Sequence, residues 1–429
     1  MFANARFQLV VMTAALLAWG LARPVQLFSQ TTTTQSGHAR SPASARVSEN
    51  RELDSCRIEV VTTLPGSHKF GSDYLEAMDS DLSSEAKDPN AVWGLTADLS
   101  SDIPSWRRAM YVSKSVDGGR TWTLVARIDS KYFNAEITEG SRNALTVAPG
   151  GNEFVITTQR GAFQILPQPR AANPQVISID GLKVSRPDPR VSIPQKEGDP
   201  LTANVARISR DGKHLIVGYG YFDLHPQLIG YHKGDNGSWI KDGPLPQLPT
   251  QMDLISMNFS DPEQPAFGAV YVGTGDQAFL LEDGTQRWIR LRGVGPDSAI
   301  QGMSMVGGPH LAACWGVYTP ISEDSVERVT HASFLLHRGK DESGPNVRAY
   351  TIEVDPPHPE RVVITTLTGV YTSSDSGQSW KRLNELPYGE FRSAHFNSDG
   401  TIIVSGIEGT FVADPFSTNC SAHLRMRDK

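Results

Sequence analysis

The sequence is short of the residues that define several classes of protein. It has 3 cysteines in 429 residues, which excludes a disulfide framework, and no His/Cys/Asp cluster has metal-ligand spacing. Charged residues make up only 20%, the net charge is −7 and there is no Lys/Arg cluster, so a nucleic-acid-binding surface is not expected. Neither a phosphate-binding glycine loop nor a G-x-S-x-G nucleophile motif occurs, and no metal or cofactor is expected.

Long apolar runs are also missing, except near the N-terminus. Arg6 precedes an apolar stretch from Phe7 to Leu21 that is short for a membrane span and is followed by small residues. Residues 1–30 therefore indicate a secretory signal peptide, with an uncleaved membrane anchor as the alternative. Residues 31–55 form a Ser/Thr-rich stretch that predicts a disordered tether. A secreted or periplasmic protein, with no membrane span after signal cleavage, is expected.

Glycine and proline, by contrast, are plentiful, with 38 and 28 residues respectively. They bound short runs rich in β-branched and aromatic residues, such as HLIVGYGY, RVVITTL and TIIVSG, which is the pattern of β-strands. A strand, turn and strand unit of this kind recurs seven times within residues 56–420, giving about 50 residues per unit. This period predicts an all-β fold, a single seven-bladed β-propeller of four-stranded antiparallel blades. Residues 421–429 are expected to form a C-terminal tail.

The last unit is one strand short, and the segment CRIEVVTTL at residues 56–64 has no unit of its own. We expect this N-terminal strand to complete the last blade and close the ring. Cys56 and Cys420 would then lie near each other, either as a disulfide or as two unpaired thiols. Cys314, inside an apolar strand, is predicted to be a buried packing residue.

Two stretches, SVDGGRTW and SSDSGQSW, share the pattern S-x-D-x-G-x-[ST]-W and lie where the third and fourth strands of a blade should join. A short acidic side chain in such a turn accepts hydrogen bonds from its own backbone, and glycine supplies a positive φ. The tryptophan is expected to pack between blades. The pattern residues are Ser115, Asp117, Gly119, Thr121 and Trp122, and then Ser373, Asp375, Gly377, Ser379 and Trp380.

These two stretches resemble Asp boxes, or BNR repeats, the mark of a β-propeller superfamily that includes sialidases. The segment DPPHPERVVITTLTGVYTSSDSGQSWKRL is similar to the sortilin-type, xyloglucanase and photosystem II assembly-factor branches of this superfamily. The resemblance implies either a glycosidase or a non-catalytic binding protein. A sialidase would carry an Arg-Ile-Pro motif, and the nearest match, Arg57-Ile58-Glu59, lacks the proline.

In a four-stranded meander, the loops between strands two and three and between blades lie on the rim opposite the repeated turns. Long loops on that rim are where we expect ligand contacts. The ligand-binding candidates there are aromatic, arginine and histidine side chains: Trp106, Arg107, Tyr132, Arg142, Tyr221, His225, Tyr318, Arg328 and Arg392. The catalytic candidates are Tyr388, Glu390 and Asp223, because a tyrosine and a carboxylate two residues apart share one face of an extended segment.

The function expected from these features is that of a secreted, non-catalytic binding or assembly module. It would recognise a glycan or a protein through the loop-rich rim, as a monomer. The alternative is a sialidase-like exo-glycosidase with a diverged set of arginines, which would need two facing carboxylates or a Tyr/carboxylate pair.

Overall fold

The computed structural model describes residues 58–61, 64, 75, 77–80, 90–97, 108–132, 144–168, 174–184, 196–220, 226–260, 268–295, 298–314, 316–329 and 349–417. The predicted signal peptide and tether (1–30 and 31–55), both cysteines of the predicted closure, Cys56 and Cys420, and the tail at 421–429 lie outside these residues. Within them, no helix is both long enough and apolar enough to cross a bilayer.

The described strands form seven four-stranded antiparallel sheets, so the predicted seven-bladed β-propeller is confirmed. The strands of the first three blades are β2 (Ala77–Ser80), β3 (Val92–Ala97), β4 (Ala109–Ser115) and β5 (Thr123–Asp129) in blade 1; β6 (Leu145–Val147), β7 (Phe154–Thr158), β8 (Gly161–Leu166) and β9 (Gln175–Ser178) in blade 2; and β10 (Ala203–Ile208), β11 (His214–Tyr219), β12 (Gln227–Lys233) and β13 (Trp239–Pro244) in blade 3.

The remaining blades follow the same order along the chain. Their strands are β14 (Leu254–Phe259), β15 (Val270–Thr274), β16 (Ala278–Leu281) and β17 (Trp288–Arg290) in blade 4; β18 (Ile300–Ser304), β19 (His310–Ala313), β20 (Gly316–Ser322) and β21 (Ser325–Arg328) in blade 5; β22 (Ala349–Asp355), β23 (His358–Thr366), β24 (Gly369–Ser373) and β25 (Lys381–Arg382) in blade 6; and β26 (Phe391–Phe396), β27 (Ile402–Gly406), β28 (Gly409–Ala413) and β1 (Ile58–Val60) in blade 7. A 3-10 helix, Ser130–Tyr132, follows β5.

The ring closes through β1, as the sequence predicts. This strand pairs antiparallel with β28, with Ile58 opposite Ala413 and Val60 opposite Phe411. The Val61 N–H also donates to the Thr410 carbonyl at 2.9 Å. Residues 58–60 thereby supply the outermost strand of the last blade.

The apolar core is divided into seven clusters, each between two neighbouring blades. Blade 4 illustrates the cause: successive side chains of a strand point to opposite faces. Val270 and Val272 of β15 pack towards blade 3, and Tyr271 packs towards blade 5. Because both faces are covered, the second strand of a blade is buried along most of its length, which explains why runs such as FVITT and IIVSG recur.

Candidate functional site

The topology assigns each loop to one of two rims. The turns between the third and fourth strands lie on one rim, which we call the Asp-turn rim. The turns between the second and third strands, and the connections from blade to blade, lie on the opposite, loop-rich rim. The first strands of neighbouring blades contact each other around the ring and surround an axial channel.

The first S-x-D-x-G-x-[ST]-W stretch forms a closed hydrogen-bonded turn. The Ser115 hydroxyl donates to Asp117 Oδ1 at 2.8 Å and accepts from the Gly119 N–H at 2.8 Å. Asp117 Oδ1 accepts from the Thr121 N–H at 2.8 Å, and its Oδ2 accepts from the Thr121 hydroxyl at 2.6 Å. Gly119 has φ +88°, and a Cβ there would lie 2.5 Å from Ile403 of blade 7. Each of these side chains therefore serves the turn.

The second stretch repeats the geometry. The Ser373 hydroxyl donates to Asp375 Oδ1 at 2.7 Å and accepts from the Gly377 N–H at 2.8 Å. Asp375 accepts from the Ser379 N–H at 2.8 Å and from its hydroxyl at 2.5 Å. Burial alone would raise the pKa of Asp117 and of Asp375, but the hydrogen bonds from the turn outweigh it and hold both pKa values below the ordinary range. Both carboxylates are thus committed to their turns.

The tryptophan that ends each turn is a wedge between blades. Trp122 packs between blades 1 and 7, and Trp380 between blades 5 and 6. Two weaker copies of the pattern, GDNGSW and EDGTQRW, place Trp239 between blades 2 and 3 and Trp288 between blades 3 and 4. Four blades therefore use the same device at the same position.

On the loop-rich rim, Tyr388 is an exposed aromatic side chain held by a fixed arginine. Its ring is 61% exposed, and Arg382 Cζ lies 5.5 Å from the ring centroid. The Arg382 guanidinium donates to the carbonyls of Leu386 at 3.2 Å, Pro387 at 3.0 Å and Thr368 at 3.2 Å. The loop that carries Tyr388 is therefore tied to blade 6, and the ring has a preset orientation.

Glu390 and Arg392 follow Tyr388 closely in the chain. Arg392 Nε donates to Glu390 Oε1 at 2.7 Å, and Arg392 Cζ lies 5.9 Å from the Tyr350 ring centroid. The turn carrying Ile407, which is 46% exposed, packs against the same loop through a 2.9 Å hydrogen bond from its N–H to the Glu390 carbonyl. We call Tyr388, Glu390, Arg392, Ile407 and Glu408 the Tyr388 surface; a Cβ at Gly389 would lie 2.4 Å from Glu408 Cγ.

The Tyr388 surface does not form the hydrogen-bonded Tyr/carboxylate pair that a sialidase-like mechanism needs. Among the contacts of the described residues, the Glu390 carboxylate pairs with Arg392, and the Tyr388 ring contacts Arg382. The third catalytic candidate, Asp223, lies outside the described residues.

The other predicted rim residues are scattered. Tyr132 ends the 3-10 helix and packs edge-on against Phe163, with ring centroids 5.4 Å apart. Tyr318 and Arg328, which were predicted on a rim loop, lie in strands instead, because residues 316–322 and 325–328 are β20 and β21. Tyr318 is 2% exposed, its hydroxyl lies 3.0 Å from the Ser298 hydroxyl, and it is paired with the exposed Arg328. The candidates outside the described residues are Trp106, Arg107, Arg142, Tyr221 and His225.

The remaining predictions for single residues concern cysteine and metal sites. Cys314 was predicted to be a buried packing residue inside a strand. It lies just after β19 and is only half-buried. In the part of the chain that the structure describes, no group of three or more His, Cys, Asp or Glu side chains has an arrangement that would hold a metal ion.

Four titratable residues on innermost strands of blades 1, 3, 6 and 7 were not among the candidates from sequence: Asp79, Arg207, Glu353 and His395. Arg207 Nη1 lies 4.0 Å from Asp79 Oδ2, which also accepts from the Val147 N–H at 2.9 Å. Burial raises the pKa of Glu353 to about 8; the Arg207 charge opposes this shift and the Asp79 charge adds to it. Burial lowers the pKa of His395 to about 4. The channel thus holds charges that the fold, not the local sequence, brings together.

A sequence signal for these residues exists, but it is weak. Asp79, Arg207, Glu353 and His395 are each a titratable residue among mostly apolar or small neighbours near the end of a first strand, as in ANVARI and RSAHF. Once the seven units are aligned, such residues share a position close to the axis.

No protein-family model matches the sequence, and no curated protein matches it. Solved structures match its fold. YCF48 bound to D1 peptide is 13% identical, with 83% of this chain and 96% of that chain covered, and has a TM-score of 0.51. The GH74 xyloglucanase from Xanthomonas campestris is 12% identical over 83% of this chain and 53% of its own, with a TM-score of 0.52. U3-55K is 10% identical, with 83% of this chain and 98% of that chain covered, and has a TM-score of 0.50. At these identities the likeness shows the β-propeller fold alone.

Proposed function

We propose that this chain is a non-catalytic binding module that recognises a segment of another protein through the Tyr388 surface. The observation that carries the proposal is Tyr388 itself, a 61% exposed aromatic ring held by Arg382 on the loop-rich rim. Tyrosine and arginine dominate binding energy at protein interfaces. Because the loop is already fixed, little conformational entropy would be lost when a partner covers the ring.

The composition of the Tyr388 surface fits a protein partner. Tyr388 and Ile407 offer an exposed apolar centre, and Glu390, Arg392 and Glu408 place charges of both signs around it. An apolar centre within a polar rim is the usual arrangement of such interfaces. A propeller of the same fold, YCF48, has been solved bound to a peptide, which supports a peptide partner here.

The proposal includes a location outside the cytoplasm, supported by the apolar stretch from Phe7 to Leu21 after Arg6. It also retains the Asp-box interpretation of the repeated turns. Their support is the shared hydrogen-bond geometry of Asp117 and Asp375.

The test is selection of a random displayed peptide library on the immobilised chain, followed by affinity measurements with the selected peptides. We expect Tyr388→Ala to weaken binding by about thirtyfold, the effect of losing an interface residue worth about 2 kcal/mol. The matched control is Ile321→Ala, which removes a 65% exposed apolar side chain near the opposite rim and should leave the affinity unchanged. Peptides that bind equally well to the Tyr388→Ala variant would contradict the proposal.

The competing hypothesis, an exo-glycosidase, is tested in parallel with a panel of chromogenic glycosides that includes a sialoside. If the chain hydrolyses a glycoside and Glu390→Gln abolishes this turnover, the protein is a hydrolase and the binding-module proposal is wrong. We expect no turnover, because Arg392 occupies the Glu390 carboxylate that the reaction would need.

A further inference from the structure

A cavity of about 440 Å³ opens on the loop-rich rim where blade 3 connects to blade 4. Its volume falls in the range of small-ligand pockets, about 300–1,000 Å³. Its walls are the connection between β13 and β14 and the turn between β15 and β16. The lining residues are Gln247, Leu248, Pro249, Thr250, Gln251, Met252 and Asp276.

The two walls are fastened to each other by the backbone. The Gly275 N–H of the turn donates to the Asp253 carbonyl of the connection at 2.9 Å. Within the connection, the Met252 N–H donates to the Thr250 hydroxyl at 3.1 Å. The turn also packs closely on the loop, since a Cβ at Gly275 would lie 3.3 Å from Met252 Cβ. The cavity is therefore formed before any ligand arrives.

The carboxylate of Asp276 is oriented by hydrogen bonds to one of its two oxygens. Oδ1 accepts from the Thr274 hydroxyl at 2.8 Å and from the Thr250 hydroxyl at 3.2 Å. Oδ2 accepts no hydrogen bond from the described residues. The carboxylate thus has a fixed plane and one free acceptor at the cavity.

The rest of the lining combines amides with apolar surface. The side chains of Gln247 and Gln251 are exposed and make no hydrogen bonds within the described part of the chain. Met252 is 42% exposed, and Pro249 lies between the two glutamines in the sequence. Each primary amide offers two donors and one acceptor, while Met252 and Pro249 offer surfaces without polar groups.

We propose that this cavity binds a neutral sugar residue. Sugar hydroxyls can donate to Asp276 Oδ2 and accept from the amides of Gln247 and Gln251, while the C–H face of the ring packs on Met252. A lysine or arginine side chain fits less well, because the lining has one carboxylate and two threonine hydroxyls already share its Oδ1. The site goes beyond the proposed protein-binding function, which uses blades 6 and 7.

The test is saturation-transfer difference NMR of the full chain with the methyl glycosides of glucose, galactose, mannose and xylose. We expect a saturable signal with at least one of them. Asp276→Asn should weaken that binding by about tenfold or more, as expected for the loss of a hydrogen bond to a charged group. Asparagine keeps the oxygen that accepts from Thr250 and Thr274 and replaces Oδ2 by an amide nitrogen, which cannot accept.

The matched control is Asp283→Asn, which makes the same charge change on an exposed turn of the same blade, on the Asp-turn rim. It should leave both the sugar affinity and the thermal midpoint unchanged, and the thermal midpoint of Asp276→Asn should also be preserved. Absence of a saturable signal with all four glycosides, or binding that survives Asp276→Asn, would overturn the proposal.

N-acetyl-lysine methylamide serves as a further probe in the same experiment. Binding of this probe that depends on Asp276, without binding of any glycoside, would assign the cavity to a basic side chain and reject the sugar. None of these outcomes involves Tyr388, so they are separate from the outcome of the peptide selection.

Discussion

At the scale of single residues, the repeated serine is a buried part of the Asp turn. Ser115 is 1% exposed, and its hydroxyl both donates to Asp117 and accepts from the Gly119 N–H, whereas Thr121 bonds to the same carboxylate from the exposed side. Loss of a buried hydrogen-bond acceptor costs more than loss of an exposed donor, since water replaces only the latter. The two hydroxyls of one turn should therefore differ in their contribution to stability.

We expect Ser115→Ala to lower the free energy of unfolding by about 1–3 kcal/mol, because the Gly119 N–H loses its partner. Thr121→Val, the control within the same turn, should cost less than about 1 kcal/mol. Urea denaturation followed by tryptophan fluorescence measures both. Equal losses, or a larger loss for Thr121→Val, would show that the buried serine does not stabilise the turn.

At the scale of elements, the propeller depends on a short strand at its seam. The closing strand β1 has only three residues, and it joins residues 58–60 to residues 411–413. The seam is also joined by an ion pair from Arg120 of blade 1 to Glu59, at 3.2 Å, and by the packing of Trp122 on Ile403 and Val412 of blade 7. Both contacts link the first and last blades directly.

We expect Val61→Pro to destabilise the propeller by about 2–4 kcal/mol, because it removes the N–H that donates to Thr410 and part of a side chain that is 6% exposed. The neighbouring Val60 is 64% exposed, and Val60→Ala should change stability by less than about 0.5 kcal/mol. Thermal unfolding of the two variants is the measurement. If both variants have the same thermal midpoint as the wild type, closure by β1 contributes nothing to stability.

At the scale of the whole molecule, titratable groups that are partly or fully buried make the free energy of unfolding depend on pH in opposite directions. Burial holds the pKa of His395 at about 4, and burial, against the effect of its hydrogen bond with the Val306 backbone, holds that of His310 at about 4. As pH falls from about 6.5 to 4, protons bind the unfolded histidines first, so stability is lost. Glu353 has a raised pKa of about 8, so stability is lost as pH rises from about 4.5 to 8.

Below pH 6.5, the stability lost through the two histidines as pH falls exceeds the stability regained through Glu353. Above pH 6.5, the loss through Glu353 as pH rises is the larger effect, so these groups predict maximal stability near pH 6.5. We expect the free energy of unfolding to be lower by about 1 kcal/mol at both pH 5 and pH 8. Glu353→Gln should remove the loss at pH 8, and His395→Gln should reduce the loss at pH 5. The exposed Glu327→Gln is the control and should leave the profile unchanged. A Glu353→Gln profile identical to that of the wild type would contradict the assignment.

The sequence by itself determined the propeller and its closure. Three features were sufficient to predict them: seven strand pairs, the turn between the third and fourth strands, and an unpaired N-terminal segment. They were sufficient because a blade is a local unit whose turns are specified by neighbouring residues. The repeated turn motif also predicted that Trp122 and Trp380 pack between blades. The error at Tyr318 had a local cause too, because Pro320, Ser322 and Asp324 have the composition of a loop. In the structure, residues 316–318 pair with β19 and residues 318–322 pair with β21, so residues 316–322 form a strand.

Only the tertiary structure decided which distant side chains meet. Asp79, Arg207 and Glu353 are separated by more than a hundred residues along the chain and come together because first strands of different blades share one axis. The cavity at Asp276 likewise needs a blade connection and a turn of the next blade. Local sequence specifies each blade, but the ring sets distances between blades, and charge and ligand contacts depend on those distances.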